Sequence, residues 1–226
     1  MSPRSHARSR PIRRALVRAS ALLLVVLGCS KSTQPPGSPT PPPVADSPVH
    51  ALERIRFAWE HRDTVTYGTL PTANFWYGFL VSDSATNPWG NTPWDRAQEL
   101  IFARHLFAGG APSGAPAANG IAFSFQSQPI PAADSRPGRN PSWHQEASTI
   151  VAVKVDRIDG SSVLIGAPVR FFLVRGDSAD LTPEMIAAGM AKSSGLWYLE
   201  GWNDLNTSPS GTSKLNRFAE LRDPYR

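Results

Sequence analysis

The residues best suited to nucleophilic or metal chemistry are few: one cysteine, Cys29, and histidines at positions 6, 50, 61, 105 and 144. Scattered in this way, with no His-Glu-x-x-His spacing and no second thiol, they predict neither a metal site nor a disulfide framework. The chain also lacks a Gly-x-Ser-x-Gly elbow, a phosphate-binding Walker loop, and a Gly-x-Gly-x-x-Gly run following a strand. A serine hydrolase, an NTPase and a dinucleotide enzyme are therefore not expected, and no cofactor is implied. Acid–base chemistry remains, since Tyr, His, Glu and Asp move protons when burial tunes them and the substrate lies within hydrogen-bond reach. No pair among these residues forms a recognisable catalytic dyad, so the sequence assigns no catalytic set.

Cys29 has a specific setting. Residues 1–28 show the three parts of a secretory signal: an arginine-rich start, the apolar run Ala19–Leu27 and a small residue, Gly28. That run is far shorter than the roughly 20 residues needed to cross a bilayer. Val26-Leu27-Gly28-Cys29 resembles a bacterial lipobox, which implies that the thiol is acylated with diacylglycerol and that Cys29 becomes the new N-terminus. Several acyl chains, at about 0.8 kcal/mol per buried methylene, make such a membrane anchor effectively permanent. Ser30 stands where an Asp would favour retention at the inner membrane; by resemblance to Gram-negative lipoprotein sorting, this implies the outer membrane. Arg13-Arg14 with Arg18 also resembles a twin-arginine export signal, although the general secretory route is the expectation.

The formal net charge of +5 suggests an acidic partner, but six of the 23 Lys and Arg lie before residue 29, where there is no Asp or Glu. Without them 17 basic residues face 18 acidic ones, and no nucleic-acid partner is expected. Residues 29–47 hold prolines at 35, 36, 39, 41, 42 and 43, which fix φ and remove backbone donors. Such a stretch favours extended polyproline II and reads as a tether, able to hold the remaining domain, residues 48–226, up to roughly 60 Å from the lipid.

Within that domain Ser47-Pro48 offers a cap and a first turn, and Val49, Leu52, Ile55 and Trp59 recur at helical spacing up to Arg62. Asp63 caps a second, shorter helix through Leu70, and Asn74–Val81 reads as an aromatic strand. Thr92-Pro93-Trp94-Asp95 predicts a helix with Thr92 as its cap, running to Phe107 and ending at Gly109-Gly110. The period then becomes extended, with strands expected over 121–126, 146–158, 163–175 and 196–202, and a short inserted helix after Thr182. Pro168 predicts an edge or a bulge. Residues 208–226 carry Leu215, Phe218 and Leu221 at a spacing of three, which predicts a short amphipathic turn packed on the domain. Helices followed by long antiparallel strands form an α+β pattern, with helices covering one face of a curved sheet.

ALERIRFAWEHRDTVTYGTL with its following aromatic strand, the WGNTPWDRAQELIFARHLF helix and the closing SGLWYLEGWNDL resemble the nuclear transport factor 2-like superfamily, more narrowly its bacterial lipoproteins. Asp63 opening the second helix and Gly195 with Trp197 at the last strand match its packing signatures. The resemblance implies a cone whose open end is a pocket; enzyme members, such as ketosteroid isomerases and scytalone dehydratase, move protons there with an acid or His base and a Tyr donor. Tyr67, Tyr77, Arg104, His144, Glu200 and Asp204 are the candidate pocket residues on this reading, with His105, Glu146 and Arg170 also of suitable type. Each has a structural alternative. Tyr67 reads as a core aromatic with its hydroxyl at the surface, and either Tyr77 or Trp76 must face the core. Arg104 lies in the arc of Ala97, Leu100, Ile101 and Phe107, as a pocket cation or, preferably, a snorkelling side chain. His105 reads as solvated or capping. Trp143-His144 either lines a pocket mouth or has its Trp folded back, and alternation sets Glu200 opposite Trp197 and Leu199.

The expectation is a lipid-anchored envelope domain that binds a small apolar ligand or another protein without catalysis. The alternatives are an isomerase- or dehydratase-type enzyme with Tyr67 or Tyr77 as donor, and a homodimer formed through the open sheet face.

Overall fold

Ser47 closes the tether by accepting a hydrogen bond from the His50 N–H, and with Pro48 it starts α1 (Pro48–His61). The computed structural model describes residues 40–78, 92–205 and 218–226. The chain divides into Met1–Thr40 and a compact unit, Pro41–Arg226, to which the following description applies. Cys29, the export signal, most of the tether, residues 79–81 of the expected strand and Leu215 lie outside the described residues.

Helix α1 buries Leu52, Ile55 and Trp59 on one face and ends at Arg62, whose φ of 53° is left-handed. Asp63 then caps α2 (Thr64–Gly68), accepting from the Val65 and Thr66 N–H groups. The first strand, β1 (Pro71–Gly78), starts three residues before its expected beginning, and a two-residue strand, β2 (Trp94–Asp95), pairs with it. Thr92 is therefore not the cap of the next helix. Asp95 is: it forms a capping box with Gln98 and opens α3 (Arg96–Ala108), because the pairing of Trp94 with Tyr77 keeps the backbone extended up to Asp95.

The remaining strands are β3 (Ala118–Phe125), β4 (Ile130–Ala133), β5 (His144–Arg157), β6 (Ser162–Arg175) and β7 (Trp197–Asp204). A short helix, α4 (Pro183–Ala187), precedes β7, and α5 (Phe218–Arg222) continues into a 3-10 turn over Asp223–Tyr225. The seven-stranded sheet runs β2-β1-β7-β6-β5-β3, with β4 also pairing with β5. Among the described residues only the β1–β7 pair is parallel. Strand β4 lies between the expected strands 121–126 and 146–158; it takes up the β5 edge at Ser148, just after β3 leaves it at Val151, so one interrupted strand borders the sheet.

Pro168 lies on a central strand and away from the register shift at Phe172 and Leu173, which departs from the expected edge or bulge. Its carbonyl accepts from the Leu205 N–H one residue past the end of β7, so the ring falls where that side of β6 loses its partner. The architecture is α+β, with α1 packed on β3 and β7 and α3 on β1. Between helices and sheet lies the main core, centred on Trp59, whose ring stands 5.7–6.5 Å from those of Tyr67, Phe102, Phe107, Phe123, Trp202 and Phe218. Strand alternation turns Val174 and Tyr198 to the opposite face, where a smaller cluster joins them to Leu181, Met185 and Met190 around α4.

Candidate functional site

The six candidate pocket residues divide among three places. Tyr67, Tyr77 and Asp204 face the helix-covered interior, His144 and Glu200 the outer side of the sheet, and Arg104 the exposed side of α3. Alternation in β1 turns Tyr77 inward, while Trp76 points outward to Phe172, the ring centroids being 5.2 Å apart.

The interior polar group is built from residues that are silent in the sequence. Helix α3 buries Glu99, Phe102, Ala103, His105, Leu106 and Phe107, so of the Ala97–Leu100–Ile101–Phe107 arc that hydropathy favours only Phe107 turns fully inward, while Ala97, Ile101 and Arg104 are exposed and Leu100 is half-buried. Arg104 is consequently a surface residue beside a shallow depression of about 260 Å³, lined by Thr64, Gly68, Leu100, Ile101 and Ala103. His105 is neither solvated nor a helix cap; its Nδ1 lies 2.6 Å from the Tyr225 carbonyl oxygen inside the protein. Glu99 is fully buried. Arg222 of α5 donates to it twice, Nε to Oε2 at 3.0 Å and Nη2 to Oε1 at 2.9 Å, in the fork geometry that a guanidinium and a carboxylate share. The Tyr67 hydroxyl donates to Oε1 at 2.7 Å, so it lies inside the core and not at the surface.

Electrostatics follow from this packing. Burial pulls the Arg222 guanidinium down, but the Glu99 charge and hydrogen bonds, together with the Tyr77 and Tyr67 side chains, outweigh burial and leave it above the ordinary arginine value. Burial, followed by the negative charge of Glu99, raises Tyr67 well above the ordinary phenol value, so it is a neutral donor. The Glu99 carboxylate has both oxygens occupied and no access to solvent. Asp204 is also buried, opposite Val169 at the end of β7.

The outer group gathers around Glu200. Leu173 pairs with Leu199 and Phe172 with Gly201, so Glu200 is the extra residue of a β-bulge, a device that re-aims a side chain. Gly201 is required beside it, since a Cβ there would meet the Trp76 indole at 2.6 Å. Glu200 accepts from Arg136, from Asn74 Nδ2 at 3.2 Å, and pairs with Arg139 Nη1 at 3.1 Å. Arg136 is also held by Asp134, with Nε 3.0 Å from each carboxylate oxygen, and its Cζ lies 4.3 Å from the Phe172 ring centroid. Arg139 Nη1 is 3.2 Å from His144 Nε2. Burial pushes Asp134 up, yet the Arg136 hydrogen bonds prevail and hold it below the usual carboxylate range. Glu146, paired with Phe172 on the neighbouring strand, accepts from the Ser135 hydroxyl at 2.7 Å and faces Arg170 at 3.7 Å. These contacts fasten the Pro/Gly-rich segment 134–143 over the sheet. They use up its charges in mutual pairs.

A separate cavity of about 160 Å³ opens where the tether meets the sheet, between Ala45, Arg54, Thr69, Met190 and Trp197, and contains none of the six residues. Among the described residues no three His, Cys, Asp or Glu could hold a metal ion, and no helix is long and apolar enough to cross a membrane.

No protein-family model matches the chain, and no curated protein matches it in sequence. Solved structures with a similar course of chain include a nuclear transport factor 2-like superfamily protein from Salmonella enterica, 9% identical with a TM-score of 0.45 over 74% of this chain and 94% of that one. A candidate scytalone dehydratase from Novosphingobium aromaticivorans is 7% identical with a TM-score of 0.46, covering 74% of this chain and 88% of its own. The Kfla4162 protein from Kribbella flavida is 12% identical with a TM-score of 0.46, covering 77% and 93%. The similarity is one of α+β fold, and chemistry must be argued from the residues of this chain.

Proposed function

We propose that this chain is a lipid-anchored protein of the bacterial envelope, held by Cys29 at the outer membrane on a Pro-rich tether, whose folded unit binds a protein partner without catalysis. The observation that carries the non-catalytic reading is the commitment of Glu99. Proton abstraction needs a base that can reach a substrate, and this carboxylate is sealed from solvent with both oxygens engaged. The filled aromatic interior around Trp59 favours a protein partner over a small apolar ligand, which would need that volume. A second copy of the chain is one such partner, and the outer sheet face between β5 and β6 leaves Ile150 and Leu164 about half exposed for contact.

Native mass spectrometry of residues 41–226, purified gently from cells, tests the interior. The expected spectrum contains the polypeptide, alone or as a dimer, with no small adduct. A discrete noncovalent mass that is lost on denaturation, or turnover of an enolisable substrate abolished by Tyr67→Phe, would overturn the reading. The anchor is tested separately. Cys29→Ser should leave a longer, unacylated precursor, and a normally processed membrane-bound product would contradict it.

A further inference from the structure

The geometry points to a guanidinium-binding site in the interior, of which Arg222 is the resident ligand, and which accepts a small alkylguanidinium ion when the Arg222 head group is removed. The inference concerns ligand chemistry inside the fold, so it stands or falls independently of the lipid anchor and of any protein partner.

Recognition is directed at a planar cation on both its edge and its faces. Glu99 takes the edge through two parallel hydrogen bonds. The Arg222 Cζ stands 3.7 Å from the Tyr77 ring centroid, 4.8 Å from Phe102 and 4.9 Å from Trp202. Tyr67 completes the carboxylate's shell and fixes its orientation. An ammonium ion can match the charge but not the fork and the flat faces together. Nη1 makes no hydrogen bond among the described residues, so the aromatic faces are what compensate that part of the cation.

The receptor and its occupant come from different parts of the chain. Tyr67 belongs to α2, Tyr77 to β1, Glu99 and Phe102 to α3, and Trp202 to β7, whereas Arg222 arrives on α5. The C-terminal segment also has anchors that do not involve Arg222. His105 holds the Tyr225 carbonyl, the Tyr225 hydroxyl donates to Pro116 O at 2.7 Å, and Arg157 Nε donates to that hydroxyl at 3.0 Å. Phe218 packs against Trp202 with ring centroids 5.1 Å apart. Shortening Arg222 should therefore leave the segment seated and empty only the head-group position, exposing an unpaired buried carboxylate between aromatic walls. An isolated pair of this kind is seldom the cheapest way to fill a core, since apolar residues of similar volume commonly serve as well. Its presence here supplies a preformed shape and charge for one class of cation.

The test uses residues 41–226 carrying Arg222→Ala, with ethylguanidinium as probe and ethylammonium at equal ionic strength as control. Millimolar ethylguanidinium should raise Tm saturably by about 3–6 °C in the variant, leave the unsubstituted protein unchanged, and have at most a small effect as the ammonium. Adding Glu99→Gln to Arg222→Ala should abolish the response. If Arg222→Ala does not fold, recovery of its near-ultraviolet circular dichroism on refolding with ethylguanidinium is the same readout. Equal responses to the two cations, a response that survives Glu99→Gln, or no response in either measurement would overturn the inference.

Discussion

Two arginine–carboxylate groups lie on opposite sides of the same sheet. Inside, Arg222 and Glu99 have no exposed side-chain surface; outside, Arg136 keeps 23% of its side chain exposed while it bridges Asp134 and Glu200. Both cations also lie over aromatic rings, Tyr77 in one case and Phe172 in the other. The chemistry is thus nearly the same and the solvent is not. In the dry interior, loss of either partner leaves a charge that nothing can screen; the outer carboxylates are also covered, at 0% for Asp134 and 3% for Glu200, but water can enter where the partly exposed Arg136 side chain stands. The inner pair accordingly acts as a keystone for the C-terminal segment, and the outer group acts as a fastener for the 134–143 segment.

The comparison can be broken first at the inner pair. Arg222→Ala should cost about 3–5 kcal/mol of unfolding free energy in urea denaturation, whereas the apolar double replacement Glu99→Leu with Arg222→Met should recover most of that loss. A small effect of Arg222→Ala would mean that the inner pair is no more than a surface-type contact. At the outer face Arg136→Ala should cost about 1–2 kcal/mol. Only the outer effect should shrink in 1 M salt, where the Debye length falls to about 3 Å.

Tyr67→Phe removes one donor to Glu99 and should cost about 1 kcal/mol near neutral pH. Its pH dependence is more telling. The folded value lies above the unfolded one of about 10, so the neutral hydroxyl contributes stability that is complete below that pH and is lost as pH rises toward the folded value. The phenylalanine variant should therefore lose less stability than the parent between pH 9 and about 11.

The smallest effect belongs to Asp134, whose folded value is depressed. Its contribution is present above the unfolded value of about 4 and is lost as pH falls through the folded one. Asp134→Asn should flatten the acid limb of the stability curve, and an unchanged limb would remove the outer group from the account.

How much of this was legible in the sequence depended on where each residue's partner lies. Helices α1 and α2 were readable because Ser47-Pro48 and Asp63 act on N–H groups two or three residues away, and because the buried face of α1 is apolar. The inward face of α3 was not, since it carries Glu99 and His105, and a hydropathy pattern turns polar residues outward. Their partners, Arg222 and the Tyr225 carbonyl, lie 123 and 120 residues further along the chain. One signal was present: Phe218, Leu221, Arg222 and Tyr225 recur at i, i+3, i+4 and i+7, placing the arginine on the apolar side of the tail. Alternation set Glu200 opposite Leu199, but the bulge that frees it depends on the register between β6 and β7, and the arginines that meet it come from a segment whose path no local pattern specifies.

The central claim is that Glu99 and Arg222 are committed to each other within a closed interior. A double-mutant cycle of Glu99→Ala and Arg222→Ala, measured by equilibrium urea denaturation of residues 41–226, tests it most directly. The account predicts a coupling of at least about 2 kcal/mol, with the double variant little worse than either single one. Additive losses, with a coupling below about 0.5 kcal/mol, would contradict it and return Glu99 to the set of groups free to meet a substrate.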